Sequence, residues 1–151
     1  MDLISWRPEY QVGVQLIDTE HKYLFELINE FHAKHAHGTS LKQCLLVLNR
    51  LVAYAEEHFQ HEEALMQNIS YPRLEVQKEM HRELFSSIFD LNEKLSADDA
   101  IVDAGTMRFL KYWLIEHIVK EDTAIGDFLR RRAAQSGRTV DEEAGDPPAK
   151  Q

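Results

Sequence analysis

The segment from His58 to Glu63 carries the side chains of this sequence that are best suited to chemistry. His58 precedes Glu62 by four residues, so on a helix the two side chains share one face. Glu62 stands between Phe59 and Met66, where the surrounding pattern predicts an apolar residue. An uncompensated carboxylate buried there would cost roughly 3–5 kcal/mol. Two interpretations are open at this point: a metal ion bound by both side chains, or a neutral Glu62 hydrogen-bonded to a partner helix.

The residues around Glu62 predict one long amphipathic helix. From Leu41 to Ile69, apolar residues and Glu62 recur in alternating steps of four and three, as they do along a helix that buries one face. Ser40, followed three residues later by Gln43, has the pattern of a helix-capping box and marks the beginning of this helix.

Three further segments have the same period, so the chain contains four long helical patterns. Short loops join them, and short loops force neighbouring helices to run antiparallel. The sequence therefore predicts an all-α fold: an antiparallel up-down-up-down four-helix bundle with an extended N-terminal arm. The three further helices are predicted from about residue 17 or 18 to 36, from 72 to 95, and from 103 to 131.

The two ends of the chain differ from this helical body. The first residues have no sustained period and contain Pro8 and Gly13, which predicts an extended arm. Beyond Ala134 the period is lost again among acidic residues and prolines, which predicts disorder. The predicted organisation is an arm of residues 1–16, a four-helix domain of residues 17–134 and a disordered tail of residues 135–151.

Every predicted helix carries at least one polar side chain that can bind metal on the stripe that it buries. One inward histidine is usually a satisfied core residue, but a set spread over all four helices favours a shared site. Each unpaired member would cost roughly 1–3 kcal/mol, against a net stability of about 5–15 kcal/mol for a domain. In an antiparallel bundle the whole set also falls at one end. Its members are His21 in the first helix, His58 and Glu62 in the second, Gln77 and His81 in the third, and His117 and Asp122 in the fourth.

The spacing of His117 and Asp122 is irregular for two ligands on one helix. They are five residues apart, which is about 140° around an ideal helix. On a regular helix they would flank the inward face, and a local π-type turn would bring them closer together.

The donor atoms of this set limit the metals that it suits. Imidazole and carboxylate donors suit iron, manganese or zinc. The single cysteine, Cys44, cannot form a thiolate cluster, which argues against a structural zinc site. Glu62 and Asp122 can both bridge, so a centre of two metal ions fits the set. The chain has no Glu-x-x-His pair, which argues against the ferritin-like di-iron carboxylate plan.

The charge of the chain disfavours several classes of partner. The sequence has 26 acidic and 17 basic residues and a formal net charge of −9. Nucleic acids and anionic membrane surfaces both require a basic surface, so neither is expected as a partner. The N-terminus lacks a basic segment followed by an apolar one, and no apolar run has the length of a membrane span. We therefore expect a cytoplasmic protein.

Taken together, these residues resemble the hemerythrin family, and within it the single-domain bacterial hemerythrins. The similarity extends from about residue 6 to residue 129, which is nearly the whole chain outside the predicted tail. Each motif is weak alone, but the combination is highly specific. The motifs are Trp6 with Gly13-Val14, Ile17 to Lys22, His58 to Met66, Tyr71-Pro72 through His81, and Trp113 to Asp122.

The resemblance implies a non-heme protein with two iron ions joined by an oxo or hydroxo bridge, which binds dioxygen reversibly. Such a protein is a carrier, store or oxygen sensor, not an enzyme, although an oxidase or peroxidase side activity is compatible with it. No fused output domain is expected, so signalling or oxygen delivery would need a protein partner. By the resemblance, His21 and His58 would bind the iron that takes up dioxygen, His81 and His117 would bind the second iron, and Glu62 and Asp122 would bridge the two. Phe59, Leu114 and Ile118 would line the oxygen pocket.

Gln77 departs from the family pattern, in which Tyr-Pro, four residues, histidine, three residues and histidine follow one another. Gln77 stands at the first of those histidines, and three outcomes are open. Gln77 coordinates through its amide oxygen, or it holds a water or hydroxide in that place, or His61 swings into the site. Under the first two outcomes we expect a lower reduction potential and faster autoxidation, because oxygen donors favour ferric iron.

The altered ligand set keeps two other functions open. One is a di-iron enzyme or sensor that acts on peroxide, nitric oxide or ferrous iron. The other is a structural bundle whose polar core residues pair among themselves, without metal.

Overall fold

The chain folds into a bundle of antiparallel helices, and no strand occurs within residues 2–98 and 101–145, which are the residues that the computed structural model describes. The predicted all-α four-helix bundle is confirmed. Among the described helices, none is both long and apolar enough to cross a bilayer. The elements are a 3₁₀ turn at Pro8–Tyr10, α1 Gln15–Ala36, α2 Leu41–Asn68, α3 Leu74–Ser96, α4 Ala104–Trp113, α5 Ile115–His117, a π-helical turn at Ile118–Asp122, α6 Thr123–Ser136 and α7 Val140–Ala144.

The loop between α1 and α2 ends one helix and begins the next, as the sequence predicts. Gly38 has a φ of 73°, which is a conformation that glycine adopts at little cost. The Thr39 N–H donates to the Lys34 carbonyl at 3.0 Å and so satisfies a free acceptor at the end of α1. The Ser40 hydroxyl accepts from the Gln43 N–H at 3.3 Å and caps the start of α2.

The fourth rod of the bundle is divided, whereas the sequence predicts one continuous helix over residues 103–131. The regular helix ends at Trp113, and the π-helical turn at Ile118–Asp122 places one extra residue in a turn. This turn brings Asp122 to the inner face beside His117, where Asp122 is fully buried. The π-helical turn therefore allows His117 and Asp122, which are five residues apart, to lie on the same inner face.

Two apolar clusters fill the bundle, and the polar residues lie between them. On α2, Glu62 lies between Phe59 of one cluster and Met66 of the other. His21 and Asp122 occupy equivalent places on their own segments. The polar side chains therefore form a layer across the bundle that apolar packing encloses on both sides. We call it the polar layer.

The segment before α1 packs on the body of the bundle. Residues 2–14 contain the 3₁₀ turn and lead into the start of α1, where the Asp18 carboxylate accepts two backbone hydrogen bonds. The donors are the N–H groups of Val12 at 2.8 Å and Gly13 at 3.0 Å. Val12 is fully buried, so this segment is tied down by both polar and apolar contacts.

The segment after residue 134 corrects part of the prediction of a disordered tail. Over residues 135–145, α6 continues to its last turn and α7 follows. Thr139 and Glu142 form a reciprocal capping box at the start of α7, and Ala144 at its end is buried. The cap and this burial order the segment because they satisfy the backbone and remove apolar surface from water. Residues 146–151 of the predicted tail lie outside the described residues.

Candidate metal centre

The polar layer brings together every residue that the sequence places at a shared site. Each of these side chains belongs to a residue that is at most 8% exposed, and five of them lie at 0%. They come from all four rods of the bundle, so the site exists only in the folded chain. The residues are His21 from α1, His58 and Glu62 from α2, Gln77 and His81 from α3, His117 from α5, and Asp122 from the π-helical turn.

His21 and His58 form the first histidine pair, and both carboxylates lie beside it. His58 Nε2 is 2.5 Å from Glu62 Oε1, and His21 Nε2 is 3.2 Å from Asp122 Oδ2. One potential ligand atom from each of these four residues lies within 4.8 Å of all the others. Atoms this close can all contact one small cation.

His81 and His117 form the second histidine pair, which lies on the other side of the same carboxylates. His117 Nε2 is 3.1 Å from Asp122 Oδ1, and His81 Nε2 is 3.8 Å from Glu62 Oε1. The second pair and Asp122 again bring their ligand atoms within 4.8 Å of one another. Glu62 and Asp122 therefore each face both pairs, which is the arrangement of two carboxylates that can bridge two metal ions.

The polar atoms at the centre of the layer lack hydrogen-bond partners, which tests whether the residues fit a metal. Although they approach one another closely, these buried atoms form no hydrogen bond within the described part of the chain. Buried polar atoms are almost always satisfied, so a group of unpaired ligand atoms gathered in one layer fits a site that holds a cation. The orphaned atoms of the layer are both ring nitrogens of His21, Nε2 of His58, His81 and His117, both oxygens of Glu62, Gln77 Oε1 and Asp122 Oδ2.

The electrostatics of the layer keep the carboxylates ionised. Burial alone would raise the pKa of Glu62, but His58 and His21 outweigh it and hold that pKa well below its usual range. Burial and the Glu62 charge act against ionisation of Asp122, yet His117 and His21 still lower its pKa. Both carboxylates are therefore anionic, as ligands of a cation must be.

The histidines show the opposite shift for the same reason. Burial would lower the pKa of His58, but Glu62 and Glu20 outweigh it and raise the pKa to about 10. Against burial, Asp122 likewise raises the pKa of His21 and of His117. Without metal, the protonated histidines therefore balance the charge of the ionised carboxylates, and a bound cation would replace those protons.

Two further carboxylates hold the histidines from outside, and the sequence analysis missed both. Glu20 Oε1 lies 3.0 Å from His58 Nδ1, and Glu63 Oε2 lies 2.9 Å from His81 Nδ1. Carboxylates in this position orient metal-binding imidazoles and fix their tautomer. Each directly adjoins a predicted site residue in sequence. The position next to a site residue was the only sequence signal that pointed to Glu20 and Glu63. It does not show which neighbouring helix each side chain faces.

Gln77 and His61 lie in different environments, although the sequence presents both as further candidates. Gln77 is fully buried in the polar layer, where its Nε2 donates to Asp122 Oδ1 at 3.5 Å and its Oε1 is among the orphaned atoms. His61 lies outside the layer, with Nδ1 2.6 Å from Glu20 Oε2. The structure therefore brings Gln77, and not His61, to the other candidate ligands.

An apolar wall adjoins both histidine pairs, and the Phe59 ring centroid lies 5.7 Å from that of His58 in the first pair. The Phe59 ring stacks on His81, with ring centroids 4.3 Å apart and planes 19° from parallel. Phe59, Leu114 and Ile118 are all buried in one apolar cluster. These are the residues that the resemblance assigns to the oxygen pocket, and they form a dry surface next to the polar layer.

The opposite side of the second pair is more open. A groove of about 410 Å³ between α3 and the fourth rod reaches His117, which is 8% exposed. Glu83, Glu116 and Glu121 line this groove with Lys120, so its charge is predominantly acidic. The first pair, by contrast, is fully buried.

The sequence and the fold are similar to those of several known proteins. A sequence profile of the hemerythrin HHE cation binding domain matches residues 12–129. The bacteriohemerythrin of Methylococcus capsulatus is 33% identical over 130 residues, which cover 85% of this chain and 98% of that protein. The myohemerythrin of Theromyzon tessulatum is 31% identical over 118 residues, which cover 78% of this chain and 87% of that protein. A crystal structure of wild-type hemerythrin aligns with a TM-score of 0.77 at 32% identity, over 83% of this chain and 96% of that one.

Proposed function

The chain belongs to the hemerythrin family, and we propose on this basis that it is a non-heme di-iron protein that binds dioxygen reversibly. The observation that carries the proposal is the group of orphaned ligand atoms in the polar layer, supplied by every rod of the bundle. Its role in the cell is that of a carrier, store or oxygen sensor, with a protein partner for delivery or signalling.

The proposed ligands divide between the two histidine pairs. The first pair, His21 and His58, would hold the iron that takes up dioxygen, and the second pair would hold the other iron. Glu62 and Asp122 face both pairs and would bridge the two metal ions, and an oxo or hydroxo group would be the further bridge. Two ferrous ions bound here supply the electrons that reversible dioxygen binding requires.

The residues around the proposed metal centre exclude water from it and orient its histidine ligands. Phe59, Leu114 and Ile118 exclude water from the site, and water would carry the protons that turn reversible binding into irreversible oxidation. Glu20 and Glu63 orient one histidine of each pair by accepting a hydrogen bond from its Nδ1. These two carboxylates therefore keep the imidazoles aligned towards the polar layer.

The test is a spectrum of the iron-loaded protein. The protein is loaded with ferrous iron without oxygen and then exposed to dioxygen, and the visible spectrum is followed before and after the gas is removed. We expect a visible band that appears with dioxygen and disappears without it over repeated cycles. A colourless protein, or a band that persists after the gas is removed, would contradict reversible binding.

We further propose that Gln77 makes the second iron richer in oxygen donors than it is in relatives with histidine there. Its burial in the polar layer and its orphaned Oε1 support this, because that oxygen either binds the metal or holds a water there. Oxygen donors favour ferric iron, so the reduction potential is lower and autoxidation is faster than with a third imidazole.

The variant Gln77→His tests this point. Stopped-flow spectra would follow the decay of the oxygenated protein, and we expect Gln77→His to lengthen its lifetime. Gln60→His, on the exposed side of α2, is a matched control that adds a histidine away from the site. If Gln77→His and Gln60→His both leave the lifetime unchanged, the proposed role of Gln77 is wrong.

A second candidate function is a di-iron enzyme or sensor that acts on peroxide, nitric oxide or ferrous iron. It is favoured by Gln77 together with the groove that reaches His117, since both make the second pair more open than the first. Steady turnover of peroxide, nitric oxide or ferrous iron at a rate above that of oxygen-dependent decay would favour this function.

A further inference from the structure

Glu20 lies behind the first histidine pair, between α1 and α2, and imidazoles engage both of its carboxylate oxygens. Oε1 is 3.0 Å from His58 Nδ1, and Oε2 is 2.6 Å from His61 Nδ1. Glu20 is 4% exposed, whereas the side chain of His61 is 21% exposed. The three side chains therefore form a line from near the surface to His58 Nε2 in the polar layer.

The hydrogen bonds of Glu20 determine the tautomer of His58. A carboxylate only accepts hydrogen bonds, so the Nδ1 atoms of His58 and His61 must both carry the hydrogen. When His58 gives up its other proton to a metal, the hydrogen that Glu20 holds stays on Nδ1 and the lone pair is at Nε2, which is the atom 2.5 Å from Glu62 Oε1. Glu20 thus selects the form of His58 that can bind a metal.

Glu20 needs two hydrogen bonds to hold this position. A glutamate side chain has several rotatable bonds, and a single hydrogen bond leaves the plane of its carboxylate free to turn. The bond to His61 is the shorter of the two and fixes the second oxygen. Without it, a nearly buried oxygen would lack a partner, and the carboxylate would turn towards water.

The second histidine pair has a simpler arrangement. His81 Nδ1 lies 2.9 Å from Glu63 Oε2, but the Glu63 side chain is 28% exposed. In the described residues, no second imidazole contacts Glu63. A carboxylate that is held by two imidazoles is therefore found behind the first pair and not behind the second. The first pair is the one that the proposed function assigns to the dioxygen-binding iron.

We propose that His61 is a positioning residue, which acts through Glu20 to keep His58 Nε2 aligned on the metal of the first pair. This inference rests on the proposed function in that it requires a metal at the first pair. His61 itself does not bind that metal: its Nδ1 is used by Glu20, and its Nε2 faces Glu57 Oε1 at 3.9 Å.

The test uses three variants and cobalt(II) as the metal. His61→Leu removes the hydrogen bond to Glu20. His61→Asn keeps an N–H donor near the place of Nδ1, so it should restore the hold on Glu20. His35→Leu changes an exposed histidine of α1 and serves as the control. Cobalt(II) shifts the proton signals of its ligands strongly, so the Nδ1 proton of bound His58 is visible by NMR.

The expected result separates positioning from simple packing. In His61→Leu, the Nδ1 proton of His58 should exchange with water much faster, and cobalt should leave the first pair for a chelator about 10–100 times faster. His61→Asn and His35→Leu should resemble the wild type in both measurements. The melting temperature of each metal-free variant shows whether the fold itself is weakened.

Two results would overturn the proposal. One is a His61→Leu protein whose Nδ1 exchange and cobalt release match the wild type. The other is a His61→Asn protein as impaired as His61→Leu, because the ring and not its hydrogen bond would then matter. Wild-type protein that binds cobalt at the first pair, but shows no reversible dioxygen band with iron, would contradict the proposed function and leave the role of His61 standing.

Discussion

The two histidine pairs share Glu62 and Asp122, but their surroundings differ. The first pair is fully buried and lies against a carboxylate that two imidazoles hold. The second pair is 3% and 8% exposed, adjoins an acidic groove, and has Gln77 beside it. The two histidine pairs are therefore not equivalent, although both face Glu62 and Asp122.

If two metal ions bind as proposed, this difference would give them different tasks. Under the proposed function, the shared carboxylates would hold two ions beside each other, while the outer partners and the access of water would set the properties of each. We expect the first pair to retain its metal and the second pair to exchange it more readily. The following predictions test this comparison, from the largest expected effect on the site to the smallest.

Replacing Glu62 by alanine should empty both halves at once. Its Oε1 lies 2.5 Å from His58 Nε2 and 3.8 Å from His81 Nε2, so its loss removes a donor from each pair. Replacing a residue that only hydrogen-bonds to a metal ligand lowers metal affinity by about 10–100-fold. Because Glu62 would itself be a ligand, we expect metal affinity to fall by more than about 100-fold. Iron analysis after gel filtration measures this. The control is Glu56→Ala, at an exposed position of α2. Retention of iron at either pair in Glu62→Ala would show that the carboxylate is not shared.

Replacing Glu63 by alanine should affect the second pair alone. The variant removes the acceptor of the His81 Nδ1 hydrogen bond, which lies outside the polar layer. We expect iron to leave the second pair about 10–100 times faster, with the release from the first pair unchanged. Stopped-flow transfer to a chelator would show this as one accelerated phase. Glu75→Ala, at an exposed position of α3, is the matched control. Equal acceleration of both phases would mean that the halves are not independent.

The stability of the metal-free protein should depend on pH through His58. Burial opposes its charge, but Glu62 and Glu20 raise its pKa from 6.5 to about 10. A raised pKa in the folded state stabilises the fold fully below pH 6.5, and this contribution is lost as the pH rises through about 10. We therefore expect the melting temperature of the metal-free protein to fall over that range. In the iron-loaded protein, metal replaces the proton and the fall should be smaller. If the melting temperatures of the metal-free and the iron-loaded protein fall equally with pH, this account is contradicted.

Replacing Leu48 by alanine should weaken the fold and leave the site intact. Leu48 is fully buried in the apolar cluster away from the polar layer. Such a substitution costs about 2–5 kcal/mol of the free energy of unfolding, because it removes apolar contacts and leaves a cavity. Denaturant titration measures this cost, and iron analysis should show an unchanged metal content. Loss of iron from one pair only would reveal coupling between the cluster and that pair.

Much of the fold was predictable because the hydrophobic period is strong in every rod. The polar residues on the buried stripes stood out against that period, and Glu62 between Phe59 and Met66 is the clearest case. The division of the fourth rod was less accessible. The five-residue spacing of His117 and Asp122 pointed to a π-type turn, but a helical pattern alone does not show where the regular helix stops.

The outer partners were not predictable from period or spacing. Glu20 and Glu63 are charged residues one position from a site residue, and whether such a side chain faces solvent or a neighbouring helix depends on tertiary packing. The same holds for α7: the capping pair Thr139 and Glu142 is readable in the sequence, whereas the burial of Ala144 is not.

Mössbauer spectroscopy of the protein loaded with isotopically enriched ferrous iron tests the central claim most directly, because it counts the iron environments and compares them. With two unequal pairs joined by Glu62 and Asp122, we expect two irons per chain, seen as two distinct ferrous doublets of equal area. Protein that binds no iron, or a single doublet from one iron per chain, would contradict a shared site with two different halves.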